Sequence, residues 1–273
     1  MADDGDRILR LLELDPLGDD AFLAPTPTEG PARLFGGQVA SQSLRAACLT
    51  VDPGRPPHSL HAYFILPGRP GEPLRLDVQR SRDGRSFTTR HVTASQGERV
   101  IFELVASFHV PEAGDDWQLP APRGVPRPDE LAAPELPSFF QNAMPFDIRP
   151  VVVPAPGAFP LQHPFWVRAR GRVGNDPALH ACMLTFLSDM GVMASARAPD
   201  STVAAFAGAS LDHAMWFHRP ARADEWLLFS VDPVTNFGAR GLARGTLHSE
   251  AGVLVASIAQ EALLRPAGEQ PVA

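Results

Sequence analysis

One succession of elements occurs twice along this chain, a helix followed by a run of extended segments. Few folds accommodate that. In residues 39–49 the positions Ala40, Leu44, Ala47 and Cys48 recur at helical spacing, on a face made mostly of small residues. Extended segments follow at residues 59–66, 74–80, 86–93 and 100–110. Turn signals at Pro67-Gly68, Asp83-Gly84 and Gly97 separate them. The second half repeats the order. A strand at residues 165–172 and a helix at 177–196 precede extended segments at 210–218, 225–231, 238–247 and 252–264. Helix followed by antiparallel meander is an α+β unit. Individual residues support a duplication. Tyr63 stands four residues before Pro67, and Trp216 four before Pro220. Arg85-Ser86 begins 18 residues after Pro67, and Gly238-Ala239 begins 18 after Pro220. Val105-Ala-Ser107 also matches Val255-Ala-Ser257. Such a chain mimics a symmetric dimer within one polypeptide.

Between the halves the periodic apolar pattern lapses, and Pro120, Pro122, Pro126, Pro128, Pro134 and Pro137 crowd together. The expected organisation is an N-terminal lobe at 1–115, a proline-rich crossover at 116–160 and a C-terminal lobe at 161–273. Composition sets the broad class. The 273 residues are 44% hydrophobic and 20% charged, which suits a soluble protein with a sizeable core. The net charge is −7 (24 basic against 31 acidic side chains), which argues against a nucleic-acid-coating surface. The acidic N-terminus lacks the pattern of a signal peptide, and no apolar run is long enough to span a bilayer. A cytoplasmic protein without membrane or nucleic-acid partners is expected. Cys48 and Cys182 lie in apolar helix-like stretches and read as buried small hydrophobes.

The common catalytic templates are missing. There is no G-x-S-x-G elbow, phosphate-binding glycine loop, H-E-x-x-H or C-x-x-C, so neither a hydrolase elbow nor a metal site is indicated. What stands out is polar residues at positions suited to apolar ones. Asp189 falls inside the apolar helical run 181–193, where a carboxylate is costly unless it is hydrogen-bonded or faces a cleft. Gln260 alternates onto the face of Leu254, Ala256 and Ile258 in the last strand. Ser210 opens the strand 210–218. Its neighbours Asp212 and His213 suggest a serine triad, but alternating side chains of one strand cannot adopt that geometry. Arg82, Arg85 and Arg90 frame a tight turn suited to phosphate, with Arg240 and Arg244 at the matching place in the second half. Each feature also has an ordinary reading: a solvent-facing helix residue, a protruding strand end, a solvated hairpin tip.

Together these segments resemble the acyl-CoA thioesterase II family. The shared stretches are Phe35-Gly-Gly-Gln-Val39, His58-Ser-Leu-His-Ala-Tyr-Phe64, Arg82-Asp-Gly-Arg-Ser-Phe87, Ser188-Asp189, Asp212-His-Ala-Met-Trp-Phe-His-Arg-Pro220, Glu225-Trp-Leu-Leu228, Val253-Leu-Val-Ala-Ser257 and Gln260-Glu261. The resemblance implies a double hotdog, two fused lobes whose antiparallel sheets each wrap a long helix and join side by side. It implies hydrolysis of acyl-CoA to fatty acid and CoA by an activated water, without metal, cofactor or covalent acyl-enzyme. Asp189 and Gln260 then hold the family's catalytic Asp and Gln, and Ser210 stands where the family has Thr. Serine keeps the hydroxyl and loses the methyl that restricts its rotamer. The Arg82–Arg90 turn and Arg240 are candidate contacts for the CoA phosphates, and a homo-oligomer is expected. Two other readings remain open: a degenerate acyl-CoA-binding protein and a hotdog enoyl-CoA hydratase.

Overall fold

Alternation of buried and exposed residues builds the frame. In strand β5 (Phe87–Gln96) every second side chain from Thr88 to Gln96 is buried. The computed structural model describes residues 6–28, 32–134, 145–152, 161–198 and 206–266. Helix α1 (Asp6–Leu11) and the hairpin of β1 (Asp15–Gly18) and β2 (Ala21–Ala24) lead into helix α2 (Gly36–Leu49). The meander β3 (Pro57–Phe64), β4 (Leu74–Asp83), β5 and β6 (Arg99–His109) completes the first half. The second half has β7 (Phe146–Pro150), β8 (Phe165–Ala169), helices α3 (Pro177–Leu187) and α4 (Val192–Ser195), then β9 (Phe206–Ser210), β10 (Asp212–Phe217), β11 (Leu227–Phe237), β12 (Arg240–Ser249) and β13 (Leu254–Pro266). Among the described residues all strands join one antiparallel sheet, ordered β1-β2-β4-β5-β6-β3-β10-β13-β12-β11-β8-β7, with β9 also on β13. No helix among them is long and apolar enough to cross a membrane.

The register makes the duplication concrete. His61 on β3 pairs with Ala214 on β10, and the two are also equivalents at the offset of Tyr63 and Trp216 (214 − 61 = 216 − 63 = 153), so a local twofold axis runs between them. Tyr63 and Thr93 both face Glu103, whereas Trp216 and Thr246 both face Ser257. The offset is therefore 153 for β3/β10 and β5/β12, and 154 (257 − 103) for β6/β13. This corrects one apparent match. Val105-Ala-Ser107 is equivalent to Ala259-Gln-Glu261, not to Val255-Ala-Ser257. Short apolar strand sequences recur by composition alone, and only the ladder fixes which residues correspond.

Helices α2 and α3 lie antiparallel, clasped by Ser41 Oγ donating to the Cys182 carbonyl at 2.8 Å and by an Arg45–Asp176 ion pair. Nearly every residue of α2 from Gly37 to Ala47 is buried, so small residues are needed on all its sides. Side chains from both helices and from the inner sheet face, such as Leu44, Leu104, Phe102, Phe186 and Ile258, form one continuous core. Each such burial contributes about 1.5–3 kcal/mol. Cys182 is fully enclosed and Cys48 half-buried; burial pushes the Cys182 thiol well above its ordinary range.

Three sequence expectations need correction. The helix expected over 177–196 ends at Leu187, and Gly191 takes a left-handed φ of 77° before the short α4. Asp189 thus lies in a turn just beyond a helix end. The strand expected to open at Ser210 is two strands, and Ser210 closes the first. The stretch 116–160 is not wholly linker, because it contains β7, which pairs with β8 at the sheet edge. Its earlier part is strapped to the sheet. Gln118 bonds Gly252 and Leu254 through both ends of its amide, and Trp166 Nε1 donates to the Pro126 carbonyl.

Candidate active site

The turn after α3 delivers Asp189 to the first turn of α2. Phe35, the N-cap of α2, makes no side-chain cap bond. Asp189 Oδ2 takes that place from a distant element, accepting the Gly37 N–H at 2.9 Å. A carboxylate there is favoured by the positive end of the helix dipole. Only glycines permit the approach. A Cβ on Gly36 would stand 2.8 Å from Asp189 Oδ2 and 2.6 Å from the Phe64 ring, and one on Gly37 would stand 2.3 Å from the Phe186 carbonyl. Gly36→Ala should therefore displace the carboxylate from the Gly37 N–H, at about 1–3 kcal/mol for the overpacked contact. A thermal melt of the variant against the parent measures the loss.

A bulge supplies the second half of the site. The register of β10 on β13, continued upstream, would set Ser210 opposite Leu263, on the face away from Gln260. Instead Ser210 pairs with Ala262, so the ladder slips by one residue at Leu211. Leu211 N–H donates to the Glu261 carbonyl and Asp212 Oδ1 accepts the Glu261 N–H, so two residues oppose one. The slip turns Ser210 onto the face shared by Gln260 and His213. Gln260 Nε2 donates to Ser210 Oγ at 2.8 Å, and His213 Nδ1 meets Gln260 Oε1 at 2.5 Å. His213 Nε2 lies 2.8 Å from Ser188 Oγ, beside Asp189. Burial raises the Asp189 pKa to about 6, against the opposing pull of the Gln260 side chain and the Gly37 N–H. Burial also lowers His213 to about 4, so this imidazole is neutral at physiological pH.

The structure thus gathers Asp189, Ser210 and Gln260 in one polar cluster, the Gln260 side chain meeting both Asp189 and Ser210, with Asp189 9% exposed, Gln260 fully enclosed and Ser210 half-buried. Sequence reasoning missed His213 and Ser188. An unbroken strand would have sent Ser210 and His213 to opposite faces, and the bulge removes that objection. No serine triad results, because Asp212 faces the backbone of Glu261. The available signal was alternation, which sets His213 on the same buried face as Met215.

The arginines do not converge. Arg90 is 1% exposed, and all five of its N–H donors are engaged, by Thr50 Oγ1 and carbonyl, the Arg82 and Thr89 carbonyls and Asp83. It has no donor left for a phosphate, which corrects its expected role; instead it anchors the hairpin bearing Arg82 and Arg85. Those two are exposed, and Arg240 on β12 is paired with Glu261, six strand intervals from Arg82 on β4, about 29 Å across at strand spacing.

Two family patterns match the chain: "Acyl-CoA thioesterase N-terminal domain" over residues 22–109 and "Acyl-CoA thioesterase" over residues 138–263. The human protein "Acyl-coenzyme A thioesterase 8" is 34% identical over 94% of this chain and 88% of its own. The chain belongs to the acyl-CoA thioesterase II family. It is a thioester hydrolase acting on acyl-CoA. The crystal structure of an acyl-CoA thioesterase II, TesB2, from Mycobacterium marinum superposes on this thioesterase with a TM-score of 0.82 at 38% identity, covering 96% of this chain and 100% of that one. A hot dog fold protein from Alicyclobacillus acidocaldarius, 18% identical with a TM-score of 0.78 over 97% of this chain and 99% of its own, shares the fold. The thioesterase is a double hotdog, its two meanders wrapped around α2 and α3 and joined at β3 and β10.

The twofold offsets show why the polar cluster forms in one half. The first-half equivalents of Gln260, His213 and Ser210 are Ala106 (260 − 154), Leu60 (213 − 153) and Pro57 (210 − 153). Apolar residues fill the mirrored place, and both Ala106 and Leu60 are completely buried.

Proposed function

We propose that this thioesterase hydrolyses fatty acyl-CoA by direct attack of a water held between the Asp189 carboxylate, the Gln260 amide and the Ser210 hydroxyl. The observation that carries the reading is the meeting of a buried carboxylate, at a helix N-terminus, with the Gln260–Ser210 pair. Asp189 takes a proton from the water as its oxygen bonds the thioester carbon. Gln260 and Ser210 orient that oxygen, and the N-terminal end of α2 favours the developing oxyanion. Collapse of the tetrahedral species breaks the carbon–sulfur bond, and the proton on Asp189 passes to the departing CoA sulfur. The chemistry asks for no cofactor beyond the CoA of the substrate. Ser210 already accepts from Gln260, so its own O–H remains to donate, as a threonine's would.

His213 bears on the hydratase alternative, since that chemistry needs a histidine facing the substrate. Both ring nitrogens of His213 are turned to Gln260 and Ser188 instead, which favours hydrolysis. Arg82 and Arg85, on the hairpin that Arg90 anchors, are assigned to the CoA phosphates. The chain is read as two lobes, residues 1–115 and 161–273, working in the cytoplasm as a homo-oligomer. Exposed Tyr63, Val105 and Trp216 on the outer sheet face are the apolar side chains such an assembly would cover.

The test is release of CoA from a series of acyl-CoAs, followed with a thiol reagent across pH. Because the base must be ionised, kcat/KM should rise through about pH 6 and level off above it. Binding without CoA release would instead mark a degenerate binding protein, and hydration of crotonyl-CoA a hydratase.

A further inference from the structure

Gln260 presents one oxygen and two N–H groups, and the mechanism above works only if the nitrogen end faces the water. An amide carries no intrinsic preference between its two orientations. The choice falls to the partner across the ladder. We propose that His213, donating from Nδ1 to the Gln260 oxygen, is a positioning residue that locks the Gln260 amide with its nitrogen toward Ser210 and Asp189. This inference rests on the reading of Gln260 given above and deepens it.

The argument is a proton count. Gln260 Oε1 lies 2.5 Å from His213 Nδ1, so Nδ1 carries the hydrogen. A neutral imidazole then has a lone pair at Nε2, which needs a donor. Ser188 Oγ is 2.8 Å away with a single hydrogen to give. In the alternative arrangement Ser188 donates to the Thr185 carbonyl at 2.9 Å and accepts from an Nε2–H, which leaves Nδ1 bare and requires the Gln260 nitrogen to face it. With the reverse amide orientation the Gln260 oxygen would face Ser210 and the carboxylate side, setting acceptor against acceptor at Asp189. The far end of the chain is enclosed, with Ser188 at 0% exposure and His213 at 1%, so a partner lost there is not replaced by bulk water. The lock therefore runs from the end of α3 through β10 to β13, and it never touches substrate.

The test compares His213→Leu, His213→Asn, Gln260→Ala and the His213→Leu/Gln260→Ala double variant, with thermal melts confirming folding. Leucine removes the donor; kcat should fall about ten- to a hundredfold with KM almost unchanged, as for loss of one oriented donor. The acid limb of kcat/KM should move above about pH 6, because the Gln260 amide no longer favours the ionised carboxylate. Asparagine, whose amide nitrogen sits near the place of Nδ1, should recover most of the rate and the original limb. The double variant should be no slower than Gln260→Ala alone, since both changes break one unit. Should His213→Leu fail to fold, Ser188→Ala serves instead, freeing the tautomer with a smaller loss and the same shift of the limb. A slow Gln260→Ala beside a His213→Leu enzyme of normal rate and normal limb would overturn this inference alone, as would additive losses. A fully active Gln260→Ala would overturn the catalytic reading beneath it.

Discussion

Asp189→Asn is expected to lose activity by about a hundred- to ten-thousandfold, the range for removing a general base, and yet to melt at a higher temperature. The two effects share a cause. The free carboxyl titrates at 3.8 and the folded one at about 6. The folded state thus binds the proton more tightly, so the favourable contribution of this group is complete below pH 3.8 and is lost as pH rises through about 6. At pH 7 the ionised side chain costs up to about 3 kcal/mol. Asparagine keeps an acceptor for the Gly37 N–H and carries no charge to desolvate. A gain of about 2–8 °C in Tm follows for a chain of this size. The gain should shrink as pH is lowered and vanish below about pH 4, where the wild-type carboxyl is protonated too. Melts of both proteins from pH 4 to 8, alongside the CoA-release assay, check it. A variant no more stable than wild type at pH 7 would mean that the carboxylate is not desolvated as described.

Gln260→Ala should lose comparable activity with the opposite effect on stability. Its amide is the sole described partner of His213 Nδ1 and bonds Ser210. Deletion leaves His213 Nδ1 unsatisfied in a closed interior, at about 1–3 kcal/mol, and frees the half-buried Ser210 hydroxyl. Removing an oriented donor costs about a hundred- to a thousandfold in rate. The pair of variants therefore separates two kinds of buried polar residue, one held at a cost to the fold and one that the fold needs. Denaturant melts and single-turnover rates measured together distinguish them. Equal Tm changes of the same sign would contradict the account.

The repeated order of helix and meander was legible because burial imposes periods of two and of 3.6 along the chain. Gln260 was correctly placed on the inner face for the same reason. The features that assemble the site have no period. Ser210 joins Gln260 only because the ladder slips at Leu211, and a slip of one residue is set by backbone pairing that alternation cannot show. Asp189 read as a mid-helix residue because the apolar run continues to Met193; the helix stops at Leu187, and the left-handed Gly191 opens the separate turn of α4. Arg90 read as surface charge, since a motif does not reveal that five acceptors surround its guanidinium. The family resemblance singled out Asp189, Ser210 and Gln260 by matching residues, and the bulge and the turn give the physical reason why they lie together.

The most direct measurement is a single turnover of acyl-CoA by excess enzyme in heavy-oxygen water, with mass analysis of both the fatty acid and the peptide bearing Asp189. Direct attack predicts solvent oxygen in the fatty acid and none in the peptide. Solvent oxygen in Asp189, with an unlabelled acid, would show that the carboxylate itself had bonded the acyl carbon, and would contradict the account.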